Sequence, residues 1–107
     1  MNTTRIVLLS SVLSTLAVAY RPLVAQAPPP GKIVYERVCR VCHGDEGKGD
    51  AGPRLIPFEH EVDEVIAIVR EGTGQMPPIA ETRVSDAEIK SIVDYLTSLT
   101  SAAAEPK

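Results

Sequence analysis

Apolar residues recur along this 107-residue chain at helical spacing, and nowhere do they alternate with a period of two. Val62, Val65, Ile66 and Val69 stand at i, i+3, i+4 and i+7, which predicts an amphipathic helix over Phe58 to Glu71. Gly72 and Gly74 end it, and Pro77 with Pro78 forbids a restart. Ser85 with Glu88 three residues on is the signature of a capping box. Behind it Ile89, Ile92, Val93, Leu96 and Leu99 form a second apolar stripe, so a closing helix is predicted there. A shorter helix is expected over Lys32 to Cys39, with Ile33 and Val34 turned inward. Asp45 to Asp50 is polar and contains Gly47 and Gly49, which reads as a loop. The expected fold class is therefore all-α, short helices joined by long loops.

The first quarter of the chain follows a different pattern. A basic start, Met1 to Arg5, precedes an apolar run from Ile6 to Ala19 and then small residues and prolines, the layout of a secretory signal peptide over 1–27. Cleavage after Ala19 and cleavage after Ala27 both satisfy the small-residue requirement, although Pro28 hinders the second. Left uncut, the same segment is a membrane anchor, but the run falls short of the roughly 20 apolar residues a span needs. Export, to a periplasm or an equivalent compartment, is the expectation. The folded domain is expected over 28–99, with a disordered tail over 100–107.

Charge and aromatic content narrow the function. From Pro28 onward the chain carries 9 Lys and Arg against 14 Asp and Glu, a net charge of −5. That balance disfavours nucleic acid and anionic membranes as partners and favours a protein with a positive docking patch. The whole chain has only one Phe, three Tyr and no Trp, and Tyr20 falls in the leader, so the small domain has little aromatic core and should lean on a covalent or metal staple.

Cys39, Cys42 and His43 supply the candidate. Two thiols three positions apart, with a histidine directly after the second, read as a c-type haem attachment site. The thiols form thioethers with two vinyl groups on one porphyrin edge, and the adjacent imidazole swings under the iron. Other readings of the pair are a dithiol redox motif, which wants a βαβ context, a tiny-loop disulfide, and a zinc site completed by His60. The zinc reading suffers from spacing, since His43 abuts Cys42 and His60 stands seventeen residues on.

Beyond that motif, the stretch from Gly31 to Leu99 resembles a small class I cytochrome c. Gly31 to Cys39 is similar to that family's N-terminal helix. Cys42 to Gly49, followed by Gly52 to Leu55, is similar to its glycine-rich haem loop. Gly72 to Pro77 resembles the segment that delivers the distal methionine, and Ser85 to Leu96 the closing helix. The resemblance implies three to four helices wrapped around one haem c, attached through Cys39 and Cys42. It implies His43 as proximal iron ligand, the Pro53 carbonyl as acceptor for its second ring nitrogen, and Met76 as distal ligand. It also pairs Tyr35 with Tyr95 where the terminal helices cross. His60 is the alternative distal ligand, although between Glu59 and Glu61 it reads as solvated surface. Arg54, Arg70 and Arg83 are candidate partners of the haem propionates without a clear family counterpart.

The function expected on these grounds is single-electron transfer between redox proteins, by a monomer that is itself no enzyme. A cytochrome subunit of a periplasmic dehydrogenase is the nearest alternative. A haem peroxidase with an open distal position and a zinc module are more distant ones.

Overall fold

The structure, a computed structural model, describes residues 27–106. The expected leader over 1–27 therefore falls almost wholly outside the described residues. Four helices follow in order: α1 Pro30–Val38, α2 Arg40–His43, α3 Val62–Glu71 and α4 Asp86–Ala104, with a 3-10 turn at Asp45–Gly47. Among the described residues no helix is long and apolar enough to cross a membrane. The only extended pairing described is an isolated bridge between Thr73 and Met76.

Helix α1 begins where Pro30 supplies a preset φ at the first helical position. It buries Gly31, Val34, Tyr35 and Val38, spaced i, i+3, i+4, i+7, against α4. Ile33, expected inward, lies off that stripe and is 53 % exposed. The crossing is close: a Cβ on Gly31 would sit 1.8 Å from the Ser91 carbonyl oxygen and 2.9 Å from Cβ of Tyr95. Beside this contact the Tyr35 and Tyr95 rings meet at 5.8 Å between centroids and 55° between planes. Tilted aromatic pairs of this kind are worth about 0.5–1.5 kcal/mol beyond their area. Gly31→Ala should therefore destabilise the domain by at least about 1–3 kcal/mol, the overpacking cost outweighing any gain in helix propensity. Thermal unfolding of the holoprotein measures it, and an unchanged midpoint would contradict the close crossing.

Helix α4 carries Ile89, Ile92, Val93, Tyr95 and Leu96 inward. Its capping box is complete: the Glu88 amide donates to Ser85 Oγ at 3.1 Å and the Ser85 amide to Glu88 Oε2 at 2.9 Å. The helix continues to Ala104, so the tail expected from position 100 is helical over its first five residues. Alanines 102–104 are the best helix formers, and the Thr100 and Ser101 hydroxyls bond back to the Leu96 and Thr97 carbonyls. Thr100 also belongs to the fold, because its hydroxyl accepts the Phe58 amide at 2.8 Å.

That bond explains a second difference from the pattern. Helix α3 starts at Val62, four residues later than predicted, because Phe58 is buried and tied to α4 while Glu61 is still extended. Val69 from α3 joins Ile56, Phe58 and Val84 in the core that α1 and α4 build.

Candidate haem site

Three segments carry the chemistry that the pattern singled out. The first is the turn between α1 and the 3-10 helix. Cys39 is half-buried at the end of α1, Cys42 is exposed in α2, and His43 is half-buried one residue on. The two sulfurs are not joined to each other in a disulfide. Burial pushes the Cys39 thiol up to about 11, with the neighbouring Cys42 adding to the rise. Reactive dithiols need the opposite, a depressed and accessible thiolate, so the redox-dithiol reading finds no support in this environment.

The second segment is the loop from Gly44 to Leu55, which is folded back under the histidine by backbone bonds. The Gly49 amide donates to the His43 carbonyl at 2.8 Å, the Gly52 amide to the Cys42 carbonyl at 2.6 Å, and the Leu55 amide to the Gly47 carbonyl at 2.8 Å. The turn starts at Gly44 with φ 77°, where a Cβ would lie 2.6 Å from the Gly49 carbonyl oxygen, so only glycine fits. The Gly44 carbonyl in turn accepts the Tyr35 hydroxyl at 2.7 Å. Burial raises the Tyr35 hydroxyl to about 12, so it remains protonated and donating throughout the neutral range.

This loop delivers Pro53 to the histidine. His43 Nδ1 and the Pro53 carbonyl oxygen are 2.8 Å apart. A carbonyl only accepts, so Nδ1 carries the proton and Nε2 is left as the free lone pair. That is the arrangement a metal-binding imidazole needs from its outer partner.

The third segment follows α3. Gly72, with φ 73°, turns the chain where any Cβ would meet the Met76 carbonyl oxygen at 2.7 Å. Thr73 and Met76 then exchange backbone bonds of 3.0 and 2.9 Å, and Met76 is half-buried against the core. His60 is elsewhere engaged: it is exposed, its Nδ1 lies 3.0 Å from Glu64 Oε1, and its ring packs edge-on against Phe58 at 5.6 Å. Among the described residues no three His, Cys, Asp or Glu side chains are gathered as a metal cluster, so the geometry that the zinc reading requires is missing.

Of the three arginines considered for propionates, two have protein partners. Arg54 Nε donates to the Ile56 carbonyl, and Arg70 donates to the Ile79 and Val84 carbonyls and to Asp86. Sequence pattern gave no signal for the Arg70 contacts, since its partners lie nine to sixteen residues away.

These parts suit a c-type haem. The donors available on these segments are two thiols, an imidazole with a free Nε2 and a thioether. Leu55, Val62, Val65, Ile66 and Ile79, on the segments flanking those donors, pack against the core while remaining partly exposed, as an apolar wall for a macrocycle would.

Comparison with known proteins points the same way. Residues 26–96 match the family described as cytochrome c oxidase, cbb3-type, subunit III. The chain is 35% identical over 80 residues to the cytochrome c subunit of 4-cresol dehydrogenase (hydroxylating) from Pseudomonas putida, covering 71% of this chain and 66% of that one. It is 28% identical over 69 residues to a cytochrome c-553-like protein of Synechocystis sp., covering 64% of this chain and 66% of the relative. Over 46 residues it is 39% identical to the menaquinol:cytochrome c reductase cytochrome c subunit of Geobacillus thermodenitrificans, 43% of this chain and 18% of that one. The chain thus spans less than two thirds of the length of each of these relatives. No solved structure matches it. With two thirds of its length inside the family's bounds and a helical fold that brings the histidine to its carbonyl partner, the chain belongs to the cbb3-type cytochrome c oxidase subunit III family, as a c-type cytochrome domain whose cofactor is covalently bound haem.

Proposed function

We propose that this domain carries single electrons between redox proteins, with Cys39 and Cys42 as the haem attachment points, His43 as proximal ligand and Met76 as distal ligand. When bound, a c-type haem supplies a one-electron iron couple whose potential a His/Met pair raises. The residues' part is to hold the ligands still. Pro53 fixes the His43 tautomer, and the glycine turns at 44 and 72 let the backbone close on either side. With His43 and Met76 both holding the iron, small oxidants would be kept from it, so the reading is a carrier. The observation that carries it is the 2.8 Å bond from His43 Nδ1 to the Pro53 carbonyl, which holds the proton on Nδ1 and leaves Nε2 unprotonated, its lone pair available for iron.

The relatives named as subunits of a dehydrogenase and of a reductase favour a second version of the same chemistry, in which the domain is the electron-accepting subunit of a larger oxidoreductase. In either version we place the protein outside the cytoplasm, because covalent haem attachment and the leader pattern both point to an exported chain. We read the isolated domain as a monomer.

Haem staining after denaturing electrophoresis tests the attachment. Protein matured in a cytochrome-assembling envelope should keep a coloured band, and Cys39→Ser with Cys42→Ser should lose it. Stoichiometric zinc in a soluble, colourless product would overturn the reading. Pull-down from the native envelope fraction with the mature holoprotein as bait then separates carrier from subunit, since only a subunit co-purifies with one dedicated enzyme at fixed ratio.

A further inference from the structure

We propose that Arg70 is the positioning residue for the distal ligand, holding the segment that carries Met76 in place from the last turn of α3. The inference rests on the reading of Met76 as that ligand. Arg70 is only 24 % exposed in its side chain, and its guanidinium spans three chain regions. Nη1 donates to the Ile79 carbonyl at 3.0 Å, Nη2 donates to the Val84 carbonyl at 2.9 Å, and Nη2 also meets Asp86 Oδ1.

Those partners bracket the exit of the Met76 segment. Its entry is tied to α3 through the Gly72 amide, which donates to the Ile68 carbonyl at 2.8 Å. Its exit is tied at Ile79, whose amide donates to the Val69 carbonyl at 2.8 Å while its carbonyl accepts from Arg70. The residues between, from Thr73 to Pro78, are exposed apart from Met76 itself. Beyond Ile79, the Glu81–Arg83 turn is secured at Val84 by the same guanidinium. One planar fork therefore fixes both the end of the ligand segment and the start of α4. A lysine keeps the charge but offers a single point donor group that cannot satisfy two separated carbonyls with the same geometry.

The contacts also rank themselves. Asp86 is 54 % exposed, so its ion pair is screened and weak. The two carbonyls are less exposed and would be left without a donor if the fork were removed. A thioether is a neutral ligand held largely by the pre-organisation of the loop that presents it, so freeing the exit of that loop should shift the balance toward an outside ligand.

The test uses the ferric holoprotein with free imidazole as the competing ligand, and follows the long-wavelength sulfur-to-iron band. Arg70→Lys and Arg70→Met should each tighten imidazole binding by about tenfold or more, the loss of two hydrogen bonds, and weaken the band, with helix content by circular dichroism unchanged. Asp86→Asn should stay within about twofold of the unmodified protein. If the band is present and imidazole affinity is the same in all variants, Arg70 does not position Met76. Lower helix content with an undisturbed band would make Arg70 a purely structural tie, which also overturns the proposal. If the unmodified protein lacks the band, Met76 is not the ligand and both readings fall together. Should Arg70→Met fail to take up haem, Arg70→Lys alone decides.

Discussion

Chains matured without haem should lose fixed tertiary structure while keeping part of their helix content. The core described has twelve buried apolar residues, and half of them, Val84, Ile89, Ile92, Val93, Tyr95 and Leu96, come from α4 and the residue just before its cap. α3 contributes only Val69 to full burial, its Val62, Val65 and Ile66 staying partly exposed. A domain of about 80 residues is already at the size where one core barely outweighs conformational entropy. On the proposed ligand set, a bound macrocycle would add apolar surface for α3 and the Met76 segment to cover. Without it α1 and α4 retain their own contact, closed by Gly31, Tyr35 and Tyr95, whereas α3 has little to pack on. The expected product is a molten state: near-ultraviolet dichroism lost, amide resonances poorly dispersed, an apolar dye bound, far-ultraviolet signal reduced but present. Sharp, dispersed amide spectra from haem-free protein would show that the polypeptide core suffices and that the cofactor is not the staple.

Local features were the ones the chain announced in advance. The Ser85–Glu88 box and the α4 stripe are patterns of three and four residues, and both are present as read. The Cys39-to-His43 spacing and its partner Pro53 lie within fifteen residues of one another, and the expected hydrogen bond forms. What the pattern could not convey depends on distant chain. Phe58 leaves the predicted helix because its amide bonds to Thr100, 42 positions away. Ile33 turns outward because the face of α1 is chosen by where α4 crosses, and the crossing is set by Gly31, a residue with no hydropathy signal at all. Helix α4 outruns its apolar stripe because Ala102, Ala103 and Ala104 are strong helix formers that extend it without being buried. In the sequence Arg70 is one of three candidate propionate partners, and only the fold gives it carbonyls to hold.

Replacing Met76 by Ala should convert a closed electron-transfer site into a reactive one. Met76 is half-buried, packed on the core, and backed by its reciprocal bonds with Thr73, so its thioether is presented by a backbone that the substitution leaves intact. The variant should therefore still attach haem and fold, with stability lowered by no more than the about 2–5 kcal/mol of a Met-to-Ala truncation. The sulfur-to-iron band should disappear, the reduction potential should fall as a soft ligand is lost, and cyanide or peroxide should bind at concentrations that the unmodified protein resists. His60→Ala is the matched control. Its ring is exposed, paired with Glu64 and packed edge-on against Phe58, so the spectrum should hardly change. The reverse outcome, with His60→Ala abolishing the low-spin spectrum and Met76→Ala silent, would replace the His/Met pair by two histidines. A third outcome carries a different message: if the unmodified protein binds peroxide readily, the distal position is open and an oxidant-consuming enzyme becomes the reading to pursue. Because the three results differ in which variant responds, one set of spectra separates a carrier with a thioether ligand from both alternatives.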